Sequence, residues 1–232
     1  FAGNFMEGGL LLSLDDLMRK NAVAAGDFLP ELLRGYRQDD KIYGIPKDFN
    51  TYALFYNPQI FKEAGLPAPT EKWTWEDLRM AAERLAKTTP NGRLERAGLC
   101  LPETVFPFLT RARDEGARIL DDQGDRCLMD GPEAVKALED FAAMKKGGAV
   151  AFPSDLSSRM AGDAFARGKA AMILEGGWII PYLKRVCRFP VEAVTLPSGP
   201  AGKKNYILTV AYAIPRNSLH PAEAFRLIRF LT

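Results

Sequence analysis

One stretch decides the fold of this 232-residue chain: Ile42-Tyr43-Gly44-Ile45-Pro46-Lys47-Asp48-Phe49-Asn50-Thr51-Tyr52-Ala53-Leu54-Phe55-Tyr56-Asn57. Residues 42–46 predict a strand that ends at its proline, because proline cannot continue a central strand. The aromatic-rich residues 52–56 predict a second strand. Asp48 and Asn50 fall between the two predicted strands, so they are polar residues placed at a strand end.

A strong helix signal follows at residues 74–85. Thr74 precedes Trp75-Glu76-Asp77, which is an acidic variant of the capping box that begins many helices. Leu78, Ala82 and Leu85 then recur at helical spacing, so they share one face. We expect that face to be buried.

The remaining elements alternate between helix and strand. A helix is predicted from about Glu133 to Lys146, starting at Pro132. The residues expected on its inward face are Val135, Leu138, Phe141 and Ala142. Further predictions are a short helix at 163–167, a strand at 170–174, a buried strand at 206–215 and a last helix from about 221. This alternation indicates an α/β layered fold.

Charge and composition exclude several classes of protein. Lys and Arg number 31 against 29 Asp and Glu, so the net charge of +2 gives no reason to expect nucleic acid or a membrane surface as partner. The three cysteines lie far apart, and the single histidine, His220, excludes a His-rich metal site. We expect no cofactor, no metal and no disulfide framework.

Four blocks of sequence resemble one known family. The chain is similar to the family 1 extracellular solute-binding proteins of ABC importers, the group that includes maltose-binding proteins. The blocks occur in the family's order and cover nearly the whole chain. They are residues 43–78 (with Tyr-Gly-Ile-Pro-Lys-Asp, Ala-Leu-Phe-Tyr-Asn and Trp-Thr-Trp-Glu-Asp-Leu), 165–178 (ending Gly-Gly-Trp), 196–202 (Leu-Pro-Ser-Gly-Pro-Ala-Gly) and 213–231 (starting Ala-Ile-Pro-Arg-Asn-Ser).

The resemblance implies a two-lobed periplasmic-binding-protein fold of type II, with one lobe incomplete. Residues 1–51 and 206–232 would be a partial N-terminal-type lobe, and residues 52–205 the second lobe. Family members carry an exported segment and further βαβ units before this point and helices after it, so the resemblance implies a chain cut at both ends.

The resemblance also implies a function. The protein would capture a sugar or oligosaccharide in a cleft between its lobes and deliver it to the membrane permease of an ABC importer. It would be a monomer and not an enzyme. It would lie in the periplasm or elsewhere outside the cytoplasm, either free or held by a lipid anchor.

Eight residues are candidate ligand contacts. Trp178 is the expected aromatic platform for a sugar ring, since Gly176 and Gly177 would let the chain turn sharply before it. Asp48 would accept sugar hydroxyls. The full set is Asp48, Asn50, Tyr52, Glu103, Phe106, Gly177, Trp178 and Tyr212. The alternatives are a core tryptophan at 178, a loop or helix-cap aspartate at 48, and core packing for Tyr52 and Tyr212.

Other functions stay open at this point. A carbohydrate-processing enzyme would need a carboxylate pair across the scissile bond, and Asp48 with Glu103 or Glu175 is the candidate pair. Within the binding class, a polyamine or iron carrier is the alternative to a sugar carrier. A sensor or adaptor would use the same clamshell but pass its closed state to a receptor.

Overall fold

A computed structural model describes residues 2–232 of the chain. The α-helices are α1 (Ala2–Glu7), α2 (Asp15–Lys20), α3 (Pro30–Leu33), α4 (Pro58–Glu63), α5 (Trp75–Leu85), α6 (Phe106–Glu115), α7 (Pro132–Lys146), α8 (Ala161–Ala166), α9 (Ile180–Val186) and α10 (Pro221–Leu231). The strands are β1 (Arg37–Gln38), β2 (Lys41–Ile42), β3 (Ile45–Asn50), β4 (Tyr52–Tyr56), β5 (Lys87–Thr88), β6 (Leu94–Cys100), β7 (Val150–Ala151), β8 (Ala170–Gly176), β9 (Glu192–Val194) and β10 (Leu208–Tyr212). Within residues 2–232, none of the helices is both long and apolar enough to cross a membrane.

The chain forms two compact units. Residues 2–50 and 207–232 make up the first unit, and residues 51–206 make up the second. These limits lie one residue away from the limits of the two lobes that the sequence suggests. The assignment of the units as lobes stays a prediction.

A mixed sheet organises the second unit. Its strands run in the order β5-β6-β8-β4-β9, and β7 pairs with β6. The two central pairings differ in direction, because β6 is parallel to β8 whereas β4 is antiparallel to β8. Every residue of β8 is buried, as is expected for a central strand covered on both faces.

Helix α5 packs directly on this sheet through a glycine. Leu78, Ala82 and Leu85 are fully buried, which confirms the predicted inward face. A side chain at Gly98 of β6 would place its Cβ 1.9 Å from the carbonyl oxygen of Ala82. The absence of a side chain at 98 is therefore what allows the helix backbone to approach the strand so closely.

The first unit contains the two-stranded antiparallel pair of β3 and β10. The predicted strand 42–46 was wrong at both ends, since Ile42 belongs to β2 and β3 runs from Ile45 through Pro46 as far as Asn50. Pro46 pairs with Ala211 next to a register shift between Val210 and Ala211. Bulges and edge strands accept proline, because an N–H is not required there.

Strand β10 is less buried than the sequence predicts. Val210 is 55% exposed, and no residue of this strand is fully buried. Within residues 2–232, β10 pairs with β3 alone, and a ribbon of two strands covers only part of its own surface. The buried core of this unit instead gathers around Leu14, Ile45 and Phe225.

The predicted inward face of α7 was wrong at three of its four residues, since only Phe141 is half-buried and packs on Trp75. Leu138 is 56% exposed, and Val135 is exposed as well. The buried residues of α7 are Ala134, Ala137 and Met144, and the two alanines pack with Ala112 of α6. Small residues let two helices approach closely, so Ala134 and Ala137 face α6 although Val135 and Leu138 are the larger apolar residues.

Candidate ligand-binding site

Four aromatic side chains of the second unit form a continuous group, which we call the aromatic cluster: Tyr52, Phe106, Trp178 and Tyr206. The ring of Tyr52 meets that of Trp178 edge to face, with centroids 5.5 Å apart and planes at 80°. Tyr52 also contacts Phe106 at 6.2 Å, and Phe106 contacts Tyr206 at 5.8 Å. Three of the predicted contact residues are thus brought together, along with Tyr206, which was not predicted.

Trp178 is the exposed member of the aromatic cluster. It lies in the 3₁₀ turn Gly177–Ile179 directly after β8, and 44% of its surface is accessible. This exposure excludes the alternative of a buried core tryptophan. An exposed aromatic face of this size on a structured turn is suited to contact with an apolar ligand surface.

The glycine before this turn has a different role from the one predicted. Gly176 has an extended backbone with φ of −83°, so it does not provide a left-handed turn. A Cβ at this position would lie 2.1 Å from Cζ3 of Trp178. The six-membered part of the indole therefore rests on the bare backbone of Gly176, and Gly177 begins the turn.

Tyr52 packs against the indole of Trp178. It is the first residue of β4, pairs with Gly176 of β8 and is only 6% exposed. Burial raises the pKa of its phenol, and a hydrogen bond with the hydroxyl of Thr104 acts in the opposite direction. Tyr52 is therefore neutral at physiological pH and serves as a rigid edge against the indole.

Glu175 is a buried carboxylate beside the platform. It is 6% exposed, and its Oε2 accepts the amide N–H of Gly176 at 3.2 Å. Burial raises the pKa of this carboxyl group, while hydrogen bonding from the Gly176 amide and from the Trp178 indole lowers it. The sequence analysis considered Glu175 only as half of a catalytic pair, because its burial depends on the long-range pairing of β8 with β4.

Asn205 ties the start of β4 to the returning chain. Its side-chain oxygen accepts the N–H of Tyr52 at 3.1 Å and that of Tyr206 at 2.9 Å. Its side-chain amide donates to the carbonyl of Tyr52 at 2.7 Å. One amide side chain thus orients two members of the aromatic cluster.

Glu103, a predicted ligand contact, is instead hydrogen-bonded to Ser154. Its Oε1 accepts hydrogen bonds from the hydroxyl and the amide of Ser154, the latter at 3.3 Å. These bonds fix the start of the 3₁₀ turn Ser154–Leu156. The structure gives Glu103 this structural contact and does not join it to the aromatic cluster.

The remaining three candidates belong to the first unit. Asp48 lies within β3 and forms an ion pair with Lys47, with Nζ and Oδ2 2.9 Å apart, so it is neither a loop residue nor a helix cap. Asn50 ends the same strand opposite Leu208. Tyr212 is half-buried at the end of β10 and packs against the core of this unit.

Cysteine and metal chemistry is not indicated within residues 2–232. All three thiols are free, and burial raises the pKa of Cys100 to about 12, so this thiol stays protonated. In the same residues, no three His, Cys, Asp or Glu side chains gather in a way that could hold a metal ion.

Comparison with known proteins agrees with this architecture. The family described as bacterial extracellular solute-binding protein matches residues 1–232. A multiple sugar-binding protein of Streptococcus mutans is 24% identical over 85% of this chain and 49% of its own length. A binding protein of Brucella abortus is 25% identical over 98% of this chain and 55% of its own length.

Two solved structures are similar over almost the whole chain. An ABC substrate-binding protein of Listeria monocytogenes, in complex with cycloalternan, has a TM-score of 0.88 at 23% identity, covering 98% of this chain and 57% of its own. An ABC transporter solute-binding protein of Agrobacterium vitis with bound D-mannitol has a TM-score of 0.77 at 25% identity. The similarity covers 100% of this chain and 57% of that protein.

These comparisons confirm the predicted α/β fold of the periplasmic-binding type. The chain spans about half the length of the curated relatives that it matches. The family match, in contrast, extends over every residue of the chain. The chain therefore belongs to the family of bacterial extracellular solute-binding proteins.

Proposed function

We propose that this protein captures a sugar or oligosaccharide outside the cytoplasm and delivers it to the membrane permease of an ABC importer. The observation that carries this proposal is the aromatic cluster, in which Trp178 offers an exposed ring on a fixed support. We further propose that the protein acts as a monomer, in the periplasm or attached by a lipid anchor.

The chemistry of the aromatic cluster suits a sugar ring. A pyranose presents apolar C–H groups on its faces and hydroxyls around its edge, so it needs a flat apolar surface flanked by polar groups. The indole of Trp178 supplies the surface. The side-chain amide of Asn205, which donates to the main-chain carbonyl of Tyr52 at 2.7 Å, supplies a polar group next to the cluster.

The names of the relatives point the same way. One curated relative is a sugar-binding protein, and the solved structures described above hold a cyclic oligosaccharide and a sugar alcohol. All of these ligands are neutral and rich in hydroxyls. This favours a neutral carbohydrate over a polyamine or ferric ion, which would require a cluster of acidic groups or of tyrosines and carboxylates.

We propose polar contacts from the first unit as well. Asp48 is partly exposed, and a carboxylate accepts hydroxyl groups in short, charge-assisted hydrogen bonds. Asn50 and Tyr212 are the other proposed contacts of this unit. The two compact units are accordingly proposed to be the two lobes of the binding protein.

We propose binding without turnover. The family is one of solute-binding proteins. Both carboxylates of the second unit that were weighed as catalytic groups are engaged, since Glu175 is buried and Glu103 is bonded to Ser154. A general acid or nucleophile must reach the scissile bond, and the burial of Glu175 opposes that role.

A thermal-shift screen tests the proposal. The intact protein is heated with maltotriose, mannotriose, arabinotriose, D-mannitol, spermidine or ferric citrate in turn. A compound that binds only the folded state adds about 2.7 kcal/mol to the free energy of unfolding at a hundredfold excess over its Kd. We expect a shift with a carbohydrate and its loss in Trp178→Ala.

Trp73→Ala is the matched control. Trp73 packs on Phe61 in the same unit and is not part of the aromatic cluster, so its removal should preserve the carbohydrate-induced shift. A shift with spermidine or ferric citrate alone would replace the proposed ligand class. Recovery of cleaved carbohydrate would establish an enzyme instead.

A further inference from the structure

We propose that Asn205 is a positioning residue for the binding site. Its side chain takes the place of a neighbouring strand at the start of β4 and thereby fixes the arrangement of the aromatic cluster, acting through Tyr52 and Tyr206. This inference rests on the proposed sugar-binding function, because it concerns the surface on which that function depends.

The start of β4 has a strand on one side only. Tyr52 pairs with Gly176 of β8, whereas β9 pairs with β4 only from Leu54 to Tyr56. Within residues 2–232, no strand pairs with Tyr52 on the β9 side. The main-chain groups at such an edge need other partners, since unpaired N–H and C=O groups leave the end of a strand free to move.

The side chain of Asn205 provides those partners. Its Oδ1 accepts the N–H of Tyr52 at 3.1 Å, and its Nδ2 donates to the carbonyl oxygen of the same residue at 2.7 Å. Two residues that face each other in a hydrogen-bonded antiparallel pair exchange the same two bonds. A side-chain amide has both an acceptor and a donor, so it can imitate a peptide group. Asn205 therefore continues the pairing of β4 where β9 has ended.

The same side chain holds the other end of the second unit. Oδ1 of Asn205 also accepts the main-chain N–H of Tyr206 at 2.9 Å. Tyr52 is the second residue of this unit and Tyr206 is its last. The ring of Phe106 contacts both tyrosine rings, at 6.2 Å and 5.8 Å between centroids. The spacing of these three rings therefore depends on a side chain that joins two main-chain segments.

Asn205 is itself held in place through the residue before it. The amide N–H of Lys204 donates to Oδ1 of Asp114 at 2.6 Å, and Asp114 is fully buried in α6. Asn205 is exposed, so it acts through its three hydrogen bonds and not through burial. Three bonds from one side chain share a single loss of rotamer freedom, which makes them more favourable than three bonds from separate side chains.

A measurement without ligand tests the positioning role directly. The intact protein is labelled with ¹⁵N-tyrosine, and its seven tyrosine amide signals are assigned by single Tyr→Phe substitutions. We expect Asn205→Ala to speed hydrogen exchange at the amides of Tyr52 and Tyr206 about tenfold, equivalent to about 1.4 kcal/mol of lost protection. The amide of Tyr56, which has a strand on both sides, should exchange as in the wild type.

Ligand affinity tests the consequence for the site. For the carbohydrate found by the thermal-shift screen, we expect Asn205→Ala and Asn205→Asp each to raise the Kd about tenfold by isothermal titration calorimetry. The second variant has nearly the same shape as the wild type and keeps both acceptor bonds. It replaces the donor at 2.7 Å from the carbonyl of Tyr52 with a charged oxygen, which repels that carbonyl.

Asn57 provides the matched control at the opposite end of β4. Its Oδ1 accepts the N–H of Gln59 at 2.9 Å and caps α4. Aspartate caps a helix as well as asparagine does, so Asn57→Asp should leave the Kd unchanged. Asn57→Ala removes the cap and should lower the melting temperature, again without changing the Kd. The pair thus separates loss of stability from loss of positioning.

Unchanged exchange at Tyr52 and Tyr206 in Asn205→Ala would overturn the proposal. A wild-type Kd in Asn205→Asp, or a Kd that rises as much in Asn57→Ala as in Asn205→Ala, would do so too. If the wild type binds no carbohydrate, the proposed function is what fails. The exchange rates are measured without ligand, so they would still decide whether Asn205 holds the two tyrosines.

Discussion

Trp75 and Asp114 are joined by a buried hydrogen bond, in which the indole N–H of Trp75 donates to Oδ2 of Asp114 over 2.7 Å. The other carboxylate oxygen accepts the amide N–H of Lys204 at 2.6 Å. The main-chain carbonyl of Asp114 accepts the amide of Ala201 at 2.8 Å. One residue thus connects α5, α6 and the loop that leads to Asn205 and the aromatic cluster.

Replacement of Asp114 by alanine should destabilise the protein strongly. It leaves the indole N–H of Trp75 and the amide of Lys204 without their acceptor, and an unsatisfied buried donor costs about 1–3 kcal/mol. We expect a loss of about 3 kcal/mol in the free energy of unfolding, measured by urea titration. Glu139→Ala, on the exposed side of α7, is the control and should change this value by less than about 0.5 kcal/mol.

Gly98→Ala should be among the most destabilising small substitutions in the second unit. The new Cβ would lie 1.9 Å from a main-chain oxygen of α5, and neither backbone can rotate away. Overpacking of a close contact costs about 1–3 kcal/mol or more. Thermal unfolding should show the loss, and Gly147→Ala, whose Cβ would lie 3.5 Å from its nearest neighbour, is the matched control. Equal melting temperatures for the two variants would contradict this account.

The elements that local sequence dictates were predictable. Strand β4 has the predicted bounds, and α5 begins at the predicted capping box, since in both cases adjacent residues carry the signal. The buried side of α7 was not predictable from its own residues. Ala134 and Ala137 are buried because of Ala112 on α6, a partner that hydrophobic periodicity does not reveal.

The candidate site also contains one residue that the sequence indicates and others that only the fold reveals. Trp178 stands out in the sequence because it follows two glycines, and the structure places it at the surface of the second unit. The burial of Glu175 follows from strand pairing over a long sequence separation, and Tyr206 joins the aromatic cluster through Phe106, which is also distant in sequence. Neither signal is local, so only the fold could reveal these two residues.

The capping box of α5 should give a measurable pH dependence. Hydrogen bonds from the amide and then the hydroxyl of Thr74 hold the pKa of Asp77 below its usual range. A lowered pKa in the folded state means that this contribution to stability is present above the ordinary value of 3.8 and is lost as pH falls through the folded value. Asp77 is only half-buried, so solvent screens the interaction and we expect only a few tenths of a kcal/mol.

Two variants separate the contributions of the Asp77 carboxylate and the Thr74 hydroxyl to this capping box. The difference in unfolding free energy between wild type and Asp77→Asn should be constant from pH 7 to pH 5 and should shrink as the pH falls below 3.8. Thr74→Ala removes the acceptor for the Asp77 amide, which lies 3.2 Å away, and should cost about 1 kcal/mol. A difference for Asp77→Asn that grows in acid would show that the sign of the shift is opposite.

Gly176→Ala should impair binding while leaving the fold intact. The new Cβ would overlap Cζ3 of Trp178 at 2.1 Å, but here the obstacle is a half-exposed side chain that can swing into solvent. The platform would then lose its support on the backbone and its edge contact with Tyr52. We expect the Kd for the carbohydrate found by the thermal-shift screen to rise about tenfold or more, equivalent to at least about 1.4 kcal/mol, by isothermal titration calorimetry. Gly147→Ala should bind as the wild type does, and an unaltered Kd in Gly176→Ala would mean that the orientation of the indole does not govern recognition.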